Sequence, residues 1–164
     1  MGGPRSFNFA DVWEMAADRV PEREALVVGT QRRTYAELEE RANRLADHFA
    51  RAGIGPGDHV AAYLYNGSEF LETMLAAFKL RAAVVNVNYR YVAAELAYVL
   101  ADSDARAIVY DPRFTATLDE VASELGKLTE RLAIGDDYEA ALAAASPVRL
   151  ISGWTGDAAA SAAS

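Results

Sequence analysis

The sequence predicts an α/β fold of three layers, in which helices cover both faces of a mostly parallel sheet. Short apolar segments such as "HVAAYLY", residues 59–65, recur along the chain with helical segments between them. Strands that are apolar on both faces and separated by helices are typical of parallel sheets covered on both sides. The 164 residues, 52% of them hydrophobic, suffice for one domain of ordinary size.

The first predicted element is a helix that begins after Asn8 and ends before Pro21. Asn8 is placed to cap it, with Asp11 three residues later as a weaker form of the capping box. Apolar residues recur at helical spacing and predict one apolar face. They are Phe9, Val12, Trp13, Ala16 and Val20.

A hairpin and a longer helix are expected next. Residues 25–28 and 31–34 resemble short strands, and Gly29 and Thr30 form the turn between them. Thr34 with Glu37 forms a capping box that opens the helix, and Gly53 is suited to the left-handed position after its end. The apolar stripe of this helix is Tyr35, Leu38, Ala42, Leu45 and Phe49.

Strands and helices then alternate to residue 146. Strands are predicted at 59–65, 82–87, 105–111 and, more weakly, 131–135. Helices are predicted from Ser68, which is placed to cap the first of them, and at 92–103, 115–125 and 137–146. We therefore expect a domain over residues 7–146 and an irregular or disordered tail over 147–164.

Composition excludes several classes of function. The chain has 16 basic and 24 acidic residues and a formal charge of −8, which disfavours binding to nucleic acid. It contains no cysteine, so disulfides and thiolate metal sites are excluded. The N-terminal residues lack a basic segment followed by an apolar run, and no apolar stretch is long enough to span a bilayer. These features predict a cytoplasmic location.

Several patterns that resemble catalytic or binding motifs have simpler structural explanations. The glycines of "GIGPGD", residues 53–58, follow a helix and precede a strand, the reverse of a phosphate loop, so a turn is expected. Ser68 lacks the glycines of a nucleophile elbow. His48 and His59 lack a second ligand at metal-binding spacing. Carboxylates at helical polar positions are interpreted as solvated, namely Glu37, Glu39, Glu40, Glu69 and Glu72.

The segment "NVNYRY", residues 86–91, is the most unusual internal stretch, because it joins a strand to a helix. Ligands of open parallel sheets gather outside the carboxyl ends of the strands. Arg90 is placed there to meet an anion, and the tyrosines are placed to line a pocket. The alternative interpretation, which we prefer at this point, is a polar loop that only fixes the next helix.

The order and content of these segments resemble the N-terminal end of the acyl-CoA synthetase family, the adenylate-forming (AMP-binding) enzymes. The resemblance covers residues 7–146. It is carried by "TYAELEERANRLA", "GIGPGDHVAAYLYN" and "AAVVNVNYRYVAAELAYVLADSDARAIV". The segment "NVNYRY" is most similar to fatty-acyl and steroid-type CoA ligases of actinobacteria. The fold implied is an incomplete N-terminal subdomain of such an enzyme.

The resemblance implies a two-step reaction in which a carboxylic acid and ATP form an acyl-adenylate, and coenzyme A then displaces AMP. In the family a glycine-rich loop bearing a lysine wraps the triphosphate and Mg²⁺ neutralises the remaining charge. Here Ser152, Gly153, Thr155 and Gly156 of "SGWTGD" are weak candidates for that loop. Trp154 and Asp157 depart from the pattern, and no Pro-Lys-Gly follows.

We therefore expect an N-terminal fragment of an acyl-CoA synthetase that is inactive alone and binds no cofactor by itself. No catalytic or metal-binding residue of the family is carried over to this sequence. ATP, Mg²⁺, coenzyme A and a carboxylic acid are expected for full-length members. The alternatives are an assembly module that pairs with a complementary chain, or associates through an open sheet edge, and a small nucleotide-binding α/β domain.

Overall fold

A computed structural model describes residues 7–150 of the chain. The strands are β1 (Glu24–Val28), β2 (Gln31–Thr34), β3 (His59–Tyr63), β4 (Ala83–Asn86), β5 (Ala105–Tyr110) and β6 (Glu130–Ala133). The helices are α1 (Phe9–Arg19), α2 (Tyr35–Arg51), α3 (Ser68–Lys79), α4 (Ala93–Asp102), α5 (Thr115–Ala122) and α6 (Asp136–Ala144). A short 3₁₀ helix, Pro112–Phe114, precedes α5. No described helix is long and apolar enough to cross a membrane.

The central sheet is parallel and has the strand order β4-β3-β5-β6. The predicted α/β class with a mostly parallel sheet is therefore confirmed. The hairpin of β1 and β2 is also confirmed, and it forms a separate antiparallel sheet. Both β4 and β6 are edge strands of the described sheet.

Helices cover the two faces of the central sheet, so three layers are formed. In β3, Val60 and Ala62 face one hydrophobic cluster and Ala61 and Tyr63 face another, because successive side chains of a strand point in opposite directions. The first cluster includes residues of α2, α3 and α6, and the second includes residues of α4 and α5. Both faces of β3 are buried, which explains why residues 60–63 are apolar on both faces.

The helix boundaries largely follow the predicted capping signals. Asn8 with Asp11 caps α1, and Thr34 with Glu37 caps α2, each through a reciprocal capping box. Gly53 has a φ of 82°, as expected after a helix end. The prediction that Ser68 caps α3 is wrong. Gly67 is the N-cap residue and gives no side-chain cap, while Ser68 lies buried inside the helix.

Helix α1 presents its predicted apolar face to a groove, where that face is only partly covered. Ala10 and Ala17 are its buried residues, whereas Phe9 and Val12 are 75% and 47% exposed. A groove of about 330 Å³ lies where α1 meets α3 and the start of α2, lined mainly by apolar and aromatic side chains. The residues that attach α1 therefore include part of the predicted apolar face, and also Ala10 and Ala17, which periodicity did not indicate.

The end of the described chain runs back across the helices. The predicted tail begins at residue 147, and its described part, residues 147–150, contains no helix or strand. Ser146 N–H donates to Asp47 at 2.9 Å, and Leu150 packs against the first hydrophobic cluster. The division of the chain at residue 146 stays a prediction.

Candidate functional site

The candidate site lies at the carboxyl edge of the parallel sheet, where the loops after β3, β4 and β5 meet. Strand β3 is the first strand of this sheet in chain order. Strand β4 pairs with one side of β3, and β5 pairs with the other side. The strand order therefore reverses at β3. In open α/β sheets, such a switch point leaves a crevice outside the strand ends, where ligands bind.

Aromatic side chains from all three loops contact one another at this edge. Tyr65 follows β3, Tyr89 follows β4 and Phe114 follows β5. The ring centroids of Tyr65 and Tyr89 are 4.6 Å apart, and those of Tyr65 and Phe114 are 5.4 Å apart. Tyr63 stacks on Phe114 at 4.4 Å, and its hydroxyl donates to the carbonyl of Tyr91 at 3.3 Å. The loops are thus held together by packed rings.

Arg113 lies over this aromatic cluster, and Asp111 neutralises its charge. Its guanidinium is 4.3 Å from the Tyr65 ring centroid and donates to both carboxylate oxygens of buried Asp111, at 2.6 and 2.9 Å. The bond from Arg113 holds the pKa of the Asp111 carboxyl below its ordinary value. The pair is therefore charged on both sides and neutral overall, so Arg113 adds little net positive charge to the edge.

Arg90 is the cation of this edge that no carboxylate neutralises within residues 7–150. Its guanidinium lies 5.5 Å from the Tyr89 ring centroid, and no ion pair to it is formed in the described chain. Its backbone N–H donates to the Asn88 side chain at 3.0 Å, which shapes the loop. The structure therefore places a positive charge without a carboxylate partner in residues 7–150 beside two exposed tyrosines, Tyr65 and Tyr89.

A second polar cluster lies inside the protein and has a structural role. Glu72 of α3 is fully buried and accepts bonds from Arg41 at 2.8 Å, from Tyr138 at 2.7 Å and from Ser68. Burial, and then the negative charge of Glu72, raise the pKa of the Tyr138 phenol well above its ordinary value of 10.0. All partners are satisfied, so this cluster joins α2, α3 and α6 and leaves no group for chemistry.

The prediction that Glu39 and Glu72 belong to solvated helix faces is wrong. Their relative exposures are 7% and 0%, because cationic side chains from other helices replace water around each carboxylate. Glu37 and Glu40 are exposed, as expected, and Glu69 is intermediate. Such long-range pairs leave no periodic signal in the sequence.

The remaining sequence candidates lie apart from the carboxyl edge. Residues 53–58 form the predicted connection between α2 and β3, where Gly57 also has a positive φ of 83°. His48 Nε2 lies 2.9 Å from Glu130 Oε1, and His59 starts β3 at the opposite edge. In residues 7–150 no group of three His, Cys, Asp or Glu side chains could hold a metal ion, so we assign no residue there to Mg²⁺.

The weak loop candidates Ser152, Gly153, Thr155 and Gly156 lie outside the described residues, so their role stays a prediction. Conversely, sequence reasoning identified residues 86–91 but missed Tyr65, Asp111, Arg113 and Phe114. A signal was available, because these residues lie at or just after the ends of the predicted strands 59–65 and 105–111, which in the structure end at Tyr63 and Tyr110. The missing information was that those strands are neighbours in the sheet.

Comparisons with known proteins agree with this architecture. Residues 13–153 match the AMP-binding enzyme family. The 3-oxocholest-4-en-26-oate–CoA ligase of Rhodococcus rhodochrous is 43% identical over 159 residues, which cover 88% of this chain and 28% of that relative. The medium-chain acyl-CoA ligase Mig of Mycobacterium avium is 37% identical over 88% of this chain and 31% of that relative. The chain thus spans about three-tenths of the length of these relatives.

Solved structures share the fold. The N-terminal domain of FACL13 from Mycobacterium tuberculosis has a TM-score of 0.85 and 28% identity, covering 93% of this chain and 40% of that one. The anthranilate CoA ligase AuaEII, in complex with anthranoyl-AMP, has a TM-score of 0.84 and 20% identity, covering 89% and 29%. The second likeness concerns the fold alone. By its family match, the chain belongs to the AMP-binding enzymes and corresponds to the N-terminal part of its acyl-CoA ligase relatives.

Proposed function

We propose that this sequence is the N-terminal part of an ATP-dependent acyl-CoA ligase that acts on a fatty or steroid-derived carboxylic acid. The observation that carries the proposal is the family match over residues 13–153, together with 43% identity to a steroid-acid CoA ligase. ATP, Mg²⁺ and coenzyme A are the expected reactants and cofactors of that ligase. Because ATP and coenzyme A are used inside the cell, we place the protein in the cytoplasm.

We further propose that these 164 residues do not catalyse ligation alone. The segment from Ser152 to Asp157 has Trp154 where close approach to phosphate needs a small residue, and Asp157 would repel phosphate. Incubating the chain with ATP, coenzyme A and acids of several chain lengths should release pyrophosphate no faster than a no-enzyme control. Turnover above that control would overturn this part of the proposal.

Arg90 is the described residue best suited to contact a reactant. It follows β4 at the carboxyl edge of the sheet, next to the switch point at β3, and it has no carboxylate partner in residues 7–150. Tyr65 and Tyr89 beside it are about two-fifths exposed. Both ATP and coenzyme A carry phosphates, and a guanidinium binds phosphate through several N–H donors. We therefore assign to Arg90 the binding of an anionic part of a reactant, and no step of bond making.

Grafting tests this assignment. Residues 7–146 would replace the corresponding part of the R. rhodochrous ligase, and Arg90→Gln would be compared with Arg19→Gln, which removes another arginine without an ion pair in the described chain. We expect Arg90→Gln to raise the KM for ATP or coenzyme A about tenfold, with kcat little changed. Equal KM values in the two variants would remove Arg90 from the proposal.

A further inference from the structure

One side of helix α1 carries three carboxylates that form ion pairs with the rest of the domain. Asp11 pairs with Arg81 at 3.1 Å, Glu14 with Lys79 at 2.6 Å and Asp18 with Arg149 at 2.8 Å. The spacing of three and four residues places these carboxylates along one side of the helix. Lys79 and Arg81 lie at the end of α3 and Arg149 follows α6, so the ion pairs connect α1 to two other parts of the fold.

Apolar contacts hold the other side of α1 less completely. Phe9 and Met15 are 75% and 67% exposed. Phe9 contacts Phe78 at a centroid distance of 5.7 Å, and Trp13 contacts Tyr35 at 5.1 Å, but the groove between these elements remains open. Because buried apolar area is the usual attachment of a helix, this partial exposure leaves a role for the ion pairs in holding α1.

Arg149 joins α1 to α2 through one guanidinium. Its two terminal nitrogens donate to the two carboxylate oxygens of Asp18, at 2.8 and 3.0 Å, and Nε donates to Glu39 at 2.6 Å. Glu39 also accepts from Lys79 Nζ at 2.9 Å and from Trp13 Nε1 at 2.8 Å. Arg149 therefore belongs to the same group of charged residues, Glu39 and Lys79, that contacts the middle of α1.

This junction carries more negative than positive charge even with Arg149 in place. Three carboxylates, Glu14, Asp18 and Glu39, face two cations, Lys79 and Arg149. Lys79 has a side chain only 2% exposed and is already bonded to Glu14 and Glu39. Loss of Arg149 would leave Asp18 without this partner and three carboxylates around one ammonium group, which repel one another.

Side-chain contacts also determine the path of residues 146–150. This segment contributes no strand to either sheet of the described residues, and Val148 N–H donates to the Ser146 hydroxyl at 3.2 Å. Ser146 N–H bonds to Asp47, and Arg149 bonds to Asp18 and Glu39. Leu150 also packs against the first hydrophobic cluster, so the segment takes its position from α1, α2 and the core.

We propose that Arg149 couples the packing of α1 against the domain to the position of residues 146–150. A change that makes either segment more mobile then makes the other more mobile as well. The two partners, Asp18 and Arg149, are 131 residues apart in sequence. Coupling of this kind is reciprocal, because both segments use the same bonds. A change in the groove beside α1 would therefore affect residues 146–150, the last described residues of the chain. This coupling does not depend on the activity of the protein.

Hydrogen exchange measured by NMR on the full chain tests the coupling in both directions. Arg149→Gln should accelerate exchange of α1 amides about fivefold, and Asp18→Asn should do the same for the amides of Ser146 and Val148. Amides of β3 and β5 should not change. Arg131→Gln is the matched control, since Arg131 pairs with Asp119 and its side chain is 33% exposed, against 35% for Arg149.

The double variant distinguishes coupling from two local effects. If the proposal holds, the amides of α1 and of residues 146–150 exchange no faster in the double variant, Asp18→Asn with Arg149→Gln, than in Arg149→Gln alone. Additive effects, or an Arg149→Gln effect confined to residues 146–150, would overturn it. Arg149→Gln could accelerate exchange throughout the domain, and the milder Asp18→Asn variant then decides, because the Asp18 side chain is 65% exposed. In that case, unchanged exchange at Ser146 and Val148 in Asp18→Asn would contradict the proposal.

Discussion

Individual residues were hardest to interpret from sequence when their partners came from distant elements. Glu72 has the spacing of a solvated helix residue, yet it is fully buried beneath Arg41 of α2 and Tyr138 of α6. A buried carboxylate is tolerated only when bonds replace its water. Nothing local in the sequence encodes those bonds, whereas the Thr34 and Glu37 cap lies within one turn and was predicted correctly.

The Tyr138 hydroxyl should contribute measurably to stability. Tyr138→Phe removes one bond to the Glu72 carboxylate and leaves a buried charge less satisfied, so we expect a loss of about 1.5–3 kcal/mol in the free energy of unfolding. Urea denaturation followed by circular dichroism measures it. Tyr98→Phe is the control, because that side chain is 69% exposed and should change stability by less than about 0.5 kcal/mol. Equal losses in both variants would contradict the structure.

At the scale of elements, local signals located the helices and strands, but not the side by which each helix packs. Periodicity predicted an apolar face of α1, and side chains of that face line a groove with α3 and the start of α2. It gave no indication of the carboxylates that pair with Lys79, Arg81 and Arg149. Three helices and the segment after α6 meet around Glu39. The position of α1 is therefore sensitive to charge.

This junction should weaken in acid. Burial opposes ionisation of Glu39, but Lys79 and Arg149 outweigh it and hold the pKa of its carboxyl below the ordinary 4.5. A lowered folded-state pKa contributes stability that is present above about pH 4.5 and is lost as pH falls through the folded-state value. Glu39→Gln should therefore be about 1–3 kcal/mol less stable at pH 7 and lose less further stability between about pH 5 and 3.

Urea denaturation at a series of pH values measures this dependence. Glu40→Gln is the matched control, since Glu40 is the next residue and forms an exposed pair with Arg44. It should retain the pH dependence of the unaltered chain. A Glu39→Gln variant whose stability falls as steeply in acid as that of the control would show that other carboxylates dominate this region.

At the scale of the whole molecule, the class of fold could be predicted and the order of the strands could not. Apolar strands alternating with helices imply a parallel sheet, but whether β5 pairs with β3 or with β4 depends on which face each connecting helix covers. That choice creates the switch point at β3 and brings Tyr65, Tyr89 and Phe114 together. The candidate site is thus a property of strand order more than of any motif.

The central claim is that these residues form the N-terminal part of a working acyl-CoA ligase. The most direct test is acyl-CoA formation by the R. rhodochrous ligase carrying residues 7–146 of this chain. With ATP, coenzyme A and 3-oxocholest-4-en-26-oate or a medium-chain fatty acid, we predict thioester product at a rate within about a hundredfold of the parent enzyme. A chimera that folds with a Tm near that of the parent and forms neither acyl-adenylate nor acyl-CoA would contradict the claim.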